Sequence, residues 1–217
     1  MPNHVTNIIS APRHVLESLL NDDGHVDFNK VVSFQGQFKW NGIRGDSETA
    51  AEVITNAPLN GNQFIADLER HNRRNVSALE MSEESFEQFI QMLRNKRQTG
   101  FFHTMDFARE KWGTKWNAYS QKLSIDDGFI QFDTAWSCPI ALLEALSVKH
   151  PGVEIVVKYA DEDHGSNCGT MTIKNGQIVE HEFAGKWSDM TELARKKWVE
   201  FAEEVTGWVR EEEDDEE

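Results

Sequence analysis

Two cysteines, Cys138 and Cys168, are all that the 217 residues contain, and no CxxC pair occurs. The chain therefore has no strong zinc motif, and a disulfide could form only if the fold brought the two Cα atoms within about 7 Å. No apolar run approaches the roughly 18 to 20 residues that cross a bilayer. Residues Met1 to Asn7 lack the basic-then-apolar pattern of a signal peptide. The expectation is a soluble protein with reduced thiols in a cytosol, without a membrane partner. None of the eight histidines stands in HxxxH or HExxH spacing, and GxGxxG, GxxxxGK[ST] and GxSxG are all missing. Nucleotide-dependent and classical hydrolase chemistry thus find no support, and no cofactor or metal is called for.

Cations are also scarce. Lys and Arg number 22 against 37 Asp and Glu, a formal charge of -15. The seven residues Glu211 to Glu217 are all acidic, so the rest of the chain carries -8. Such a run repels itself, and a disordered solubilising tail is expected at 211–217. Against this background, residues 94–122 hold seven cations (Arg94, Lys96, Arg97, Arg109, Lys111, Lys115, Lys122) and two carboxylates, Asp106 and Glu110. That stretch suits an anion or an acidic partner, or simply solvated helix faces.

Hydrophobic residues make up 39% and charged residues 27%, which fits a globular fold. Val5 to Ala11 reads as a strand, with a helix over 12–21 that starts on Pro12. The stretch to Trp40 reads as irregular strand or loop. Weak helices are expected at 46–57 and 63–74. A clearer one starts on the Ser82 cap, buries Phe86, Phe89, Ile90 and Leu93, and stops at Gly100. A short helix follows at 105–111. From Trp116 the period changes. A hairpin spans 117–136, its Asp127-Gly128 turn taking positive φ at both central residues. Ser137 is placed to cap a helix over 139–149, and a strand over 153–160 comes next. Cys168–Lys174 and Gln177–Phe183 flank Asn175-Gly176, a strong hairpin signal. A last helix over 189–209 has Asp189 and Glu192 at capping-box spacing. It shows Leu193, Lys197, Trp198, Phe201, Val205 and Trp208 on one side.

The order βαββαβ is the split βαβ of a ferredoxin-like fold. The predicted class is therefore α+β. A ferredoxin-like sheet over 1–210 would carry a long, mostly helical insertion at 41–111 after the first helix. A C-terminal hairpin and helix would extend and cover the sheet.

Seven tryptophans is a high count for this length. Trp112 and Trp116 lie in WGTKWNA (112–118), and Trp136 ends FDTAW (132–136) before Ser137 and Pro139. With the opening MPNHVTN, these segments resemble the YubB-type ferredoxin-like domain family over the chain to about residue 185. The resemblance implies the fold and a phage or plasmid origin, hence the cytosol of a bacterial host. It implies no chemistry, because that family's molecular function is unassigned. Cys138 stands where the family often has Pro or another small residue, and His4 where an aromatic residue is often near, so neither gains a special role from it.

Read from the residues alone, Trp112, Lys115, Trp116, Asn117, Asp133 and Trp136 form either the polar edge of a core or a partner-binding surface of aromatic anchors. Lys115 is placed to pair with Asp133. The expected function is non-enzymatic binding of a host or element protein, with interference in a host system as its consequence. The alternative is a nucleic-acid or nucleotide binder using residues 94–122, which the charge of -15 opposes. A third class, an enzyme around Asp161, His164 and Cys168 with His181 on the partner strand, would need a Cys–His arrangement that spacing does not supply.

Overall fold

Six strands form one sheet in the order β2-β3-β1-β4-β5-β6, every neighbouring pair antiparallel. They are β1 His4–Ser10, β2 Tyr119–Ser124, β3 Phe129–Ala135, β4 Ile155–Asp161, β5 Gly169–Lys174 and β6 Gln177–Phe183. The helices are α1 Arg13–Glu17, α2 Gly45–Thr55, α3 Glu83–Thr99, α4 Thr104–Lys111, α5 Ile140–Lys149 and α6 Glu192–Thr206. The computed structural model describes residues 2–55 and 80–208. The helix expected at 63–74 and the acidic tail lie outside the described residues. The chain divides into two compact units, Met1–Ser33 with Ala108–Glu217, and Phe34–Phe107.

In the first unit, β1 is central. It pairs with β3 on one side and β4 on the other, while β2 returns beside β3. This is the ferredoxin-like split βαβ, extended past β4 by the β5–β6 hairpin. Alternation along β1 sends Val5, Asn7 and Ile9 to one face. Register joins them to Ile130, Phe132 and Thr134 of β3 and to Val157, Tyr159 and Asp161 of β4. With Val15, Leu16, Leu142, Leu143 and Leu146 these make a dry core. The opposite face presents His4, Thr6 and Ile8. There α6 packs Trp198, Ala202 and Val205 against Ile8, Ala160 and Cys168.

The described elements of the second unit are helices. Ala50 and Ala51 of α2 meet Phe89 and Met92 of α3, with Phe102 beside them. Buried Asn95 holds the surrounding loops. Its Nδ2 donates to Gln37 O (2.9 Å) and Phe102 O (2.8 Å), and its Oδ1 accepts from Gln37 N and Gln91 Nε2.

Several local expectations are corrected. The first helix is short, and Pro12 precedes it with extended ψ (146°). In the 125–128 turn only Gly128 has positive φ, so that hairpin has a longer loop than the two-residue form. By contrast, Asn175 and Gly176 both take positive φ (51° and 79°), as a type I′ turn requires. Ser82 and Gly100 do cap α3, but Phe86 is on its exposed side. Ser137 does not cap α5. Its hydroxyl donates to Gly113 O at 2.6 Å. The α6 cap is Thr191, whose Oγ1 accepts from Ala194 N; Asp189 instead closes a 3-10 turn, Trp187–Asp189. Of the residues expected on one side of this helix, Trp198 and Val205 are buried, while Leu193 and Trp208 are exposed.

Candidate functional site

The end of β3 holds a strained tryptophan. Trp136 has φ +70°, a left-handed conformation that costs a bulky residue about 1–2 kcal/mol. Both of its backbone polar groups are tied. Its N–H donates to Asn3 O (3.0 Å), and its carbonyl accepts from Asn167 Nδ2 (3.1 Å). These ties converge on Asp161, which is 4% exposed at the end of β4. Asp161 Oδ1 accepts from Asn3 Nδ2 (3.1 Å) and Asp163 N (2.9 Å), and Oδ2 accepts from Asn167 Nδ2 (2.8 Å). The side chain so presented is 52% exposed.

Beside it, the second sheet face is polar over β2, β3 and β1. Thr6 Oγ1 donates to Asp133 Oδ1 at 2.9 Å, and His4 Nδ1 lies 2.9 Å from the Tyr119 hydroxyl. Burial, then the charges of Asp133 and Glu162, push the Tyr119 phenol up to about 12. The protonated phenol can donate to Nδ1, which leaves Nε2 to carry the imidazole hydrogen.

WGTKWNA straps onto this edge. Thr114 Oγ1 donates to Ala135 O at 2.8 Å, and the Ser137 bond to Gly113 ties the other side. The six expected site residues separate. Trp112 is 8% exposed, donates Nε1 to Val32 O (2.8 Å) and meets Phe28 edge-on, so it serves the core. Asn117 is also structural, accepting from Phe28 N and donating to Asp27 Oδ1. Trp116, 42% exposed, and Trp136 are at the surface. Lys115 does not pair with Asp133; its ammonium sits 4.9 Å over the Trp116 ring. The strand register supplies the reason: Thr6 lies opposite Asp133 and takes its carboxylate. Sequence reasoning missed Asn3, Asn167 and the clamping role of Asp161. The one available signal was a polar residue just before β1, at the end of β4 and in the loop before β5.

The other candidate chemistry does not assemble. Cys168 Sγ faces Trp198 O (3.9 Å), His181 stacks on Phe183, and His164 Nε2 lies 3.1 Å from Thr206 Oγ1. Burial pushes the Cys138 thiol up, and burial with the Asp161 charge pushes Cys168 up to about 11. Neither thiol is a ready nucleophile. Among the described residues no three His, Cys, Asp or Glu side chains gather to hold a metal, and no helix is long and apolar enough to cross a membrane. The basic stretch divides between the units: Arg94, Lys96 and Arg97 lie in one and Arg109, Lys111, Lys115 and Lys122 in the other.

Sheet order and pairing define a ferredoxin-like α+β domain. Residues 111–205 match the family model described as the ferredoxin-like domain in Api92-like protein. Among solved structures, protein api92 from Yersinia pseudotuberculosis is similar at 13% identity, covering 85% of this chain and 99% of that one. The TM-score is 0.35. No curated protein matches.

The phenol supports a pH prediction. Tyr119 holds its proton more tightly folded than unfolded, where tyrosine ionises near 10. Its contribution is complete below about pH 10 and is lost as pH rises toward 12. Burial raises Tyr159, the other of two tyrosines, in the same direction. Absorbance at the tyrosinate band should stay flat in folded protein to about pH 11, while urea midpoints fall above about pH 10. Tyrosinate appearing half-complete near pH 10 in folded protein would contradict this environment.

Proposed function

We propose that this is a non-catalytic protein-binding protein whose contact surface is the end of β3 with the polar face beside it. The carrying observation is Trp136, a large exposed aromatic held against its backbone preference by bonds from Asn3 and Asn167. Strain of this kind persists where the surroundings over-determine it, and exposed tryptophans are frequent interface anchors. Trp116, under the Lys115 ammonium, adds a second aromatic and a cation. Asp133 and Glu162 favour a partner with basic groups and disfavour phosphate. In this reading the protein belongs to a phage or plasmid, as the YubB-type resemblance implies. It acts in the host cytosol by occupying a host or element protein, with interference in a host system as the outcome.

The test is affinity capture from bacterial lysate with and without nuclease. Wild type is compared with a Trp116→Ala/Trp136→Gly variant whose fold is checked by circular dichroism. A protein retained by wild type after nuclease, and depleted at least about tenfold by the folded variant, supports the surface. Equal recoveries would remove it, and recovery abolished by nuclease would favour a nucleic-acid binder.

A further inference from the structure

A cavity of about 330 Å³ is lined by Asp163, His164, Ser166, Trp187 and Val199. Its size is at the small end of ligand pockets. Gly165 closes one wall: a Cβ there would stand 2.6 Å from Trp187 and 2.9 Å from Val199. The backbone is thus pressed against both residues, and the wall is already formed.

The hydrogen bonds around the cavity have one sense. Thr206 Oγ1 donates its hydrogen to Ala202 O at 2.8 Å. Its oxygen must then accept from His164 Nε2, 3.1 Å away. In the neutral ring this leaves Nδ1 as a bare acceptor, and that atom is buried with no partner. Ser166 Oγ donates to Asp163 O at 3.2 Å, with Oδ2 at 3.4 Å, so its remaining lone pair also accepts. The Asp163 carboxylate only accepts. Arg195 is the nearby cation, engaged over the Trp187 ring at 5.1 Å and through Nε to Trp187 O at 3.1 Å. The imidazole, hydroxyl and carboxylate on the wall thus offer acceptors, with the hydrogens of the first two already committed.

We propose that this cavity binds an organic cation with several N–H donors, an alkylguanidinium or alkylammonium group. The donors go to Asp163, Ser166 and His164 Nδ1, and the alkyl stem lies on Trp187 and Val199. Reaching Nδ1 takes a turn of half-exposed Trp208, which packs edge-on at 5.0 Å, while the Nε2 bond to Thr206 stays in place. The cation comes either as a free amine or as a basic side chain of another protein.

Calorimetric titration of the full-length protein tests this with n-butylguanidinium, its neutral isostere n-butylurea, and the blocked peptide Gly-Arg-Gly. Saturable binding of the cation at least about tenfold tighter than the urea is expected, weakened about tenfold in Asp163→Asn. His164→Phe, with its melting temperature checked, should weaken it as well, and His164→Gln should restore part of the affinity. Tighter binding by the peptide would place the cation on a protein side chain, and binding by n-butylguanidinium without the peptide would point to a free amine. Equal affinity for the urea, an unchanged Asp163→Asn variant, or no heat from either cation to about 10 mM would overturn the proposal.

Discussion

Replacing Trp112 by alanine is expected to lower the unfolding free energy by about 3–5 kcal/mol, the range for large aromatic truncations in a closed core. That is a large share of the roughly 5–15 kcal/mol typical of a whole domain. The indole fills the space beside Phe28, which in turn meets Phe132 of β3 edge-on. Its loss opens a cavity under the sheet and strands the Val32 carbonyl that Nε1 now serves. Trp112→Phe separates the two effects. It retains most of the ring and loses the N–H, so a cost of about 1–3 kcal/mol is expected. Urea unfolding of the three proteins checks the order wild type, Phe, Ala. A Trp112→Ala protein within about 1 kcal/mol of wild type would mean the indole is not a core element.

Trp136 should behave in the opposite way. Glycine at this position relieves the left-handed strain, worth about 1–2 kcal/mol, against an entropy cost of up to about 1 kcal/mol. Trp136→Gly should therefore fold at least as stably as wild type. Trp136→Ala keeps the strained φ and should fall about 1 kcal/mol below the glycine variant. If the tryptophan anchors a partner, both variants lose binding by about 2 kcal/mol or more, roughly 30-fold. A substitution that preserves stability and removes binding is the signature of a residue held for recognition. Alanine equal to or better than glycine in urea would show that the backbone is not strained.

The architecture was legible where one local signal sufficed. Asn175-Gly176 announced the β5–β6 hairpin because both residues tolerate positive φ. The alternation of Ile155, Val157 and Tyr159 located β4, and Ser82 with Gly100 bounded α3. The site was less legible. Trp112 and Trp136 look alike in sequence, yet one reaches Val32 and Phe28 in the core and the other takes positive φ after β3 and is exposed. The clamp joins Asn3 to Asp161 across 158 positions, and tryptophan has no preference for the conformation it adopts there. The Lys115–Asp133 pair failed for a related reason: Thr6, far away in sequence, is the cross-strand neighbour of Asp133. Two caps erred by two residues: Ser137 has a tertiary partner in Gly113, and Asp189 closes a local 3-10 turn.

The position of β1 has a consequence for synthesis. Of the strands described, it emerges first from the ribosome, yet Ile9 must wait for Ile130 and then Val157 before its two edges are occupied. At about 5–20 residues per second, the first wait alone lasts roughly 6–25 s. Throughout that interval the nascent chain carries an apolar strand with open hydrogen-bonding groups on both sides, the arrangement that invites pairing with another chain. The 34–107 unit is made during this delay. Slower translation there lengthens the interval, and chaperone dependence of soluble yield should track it.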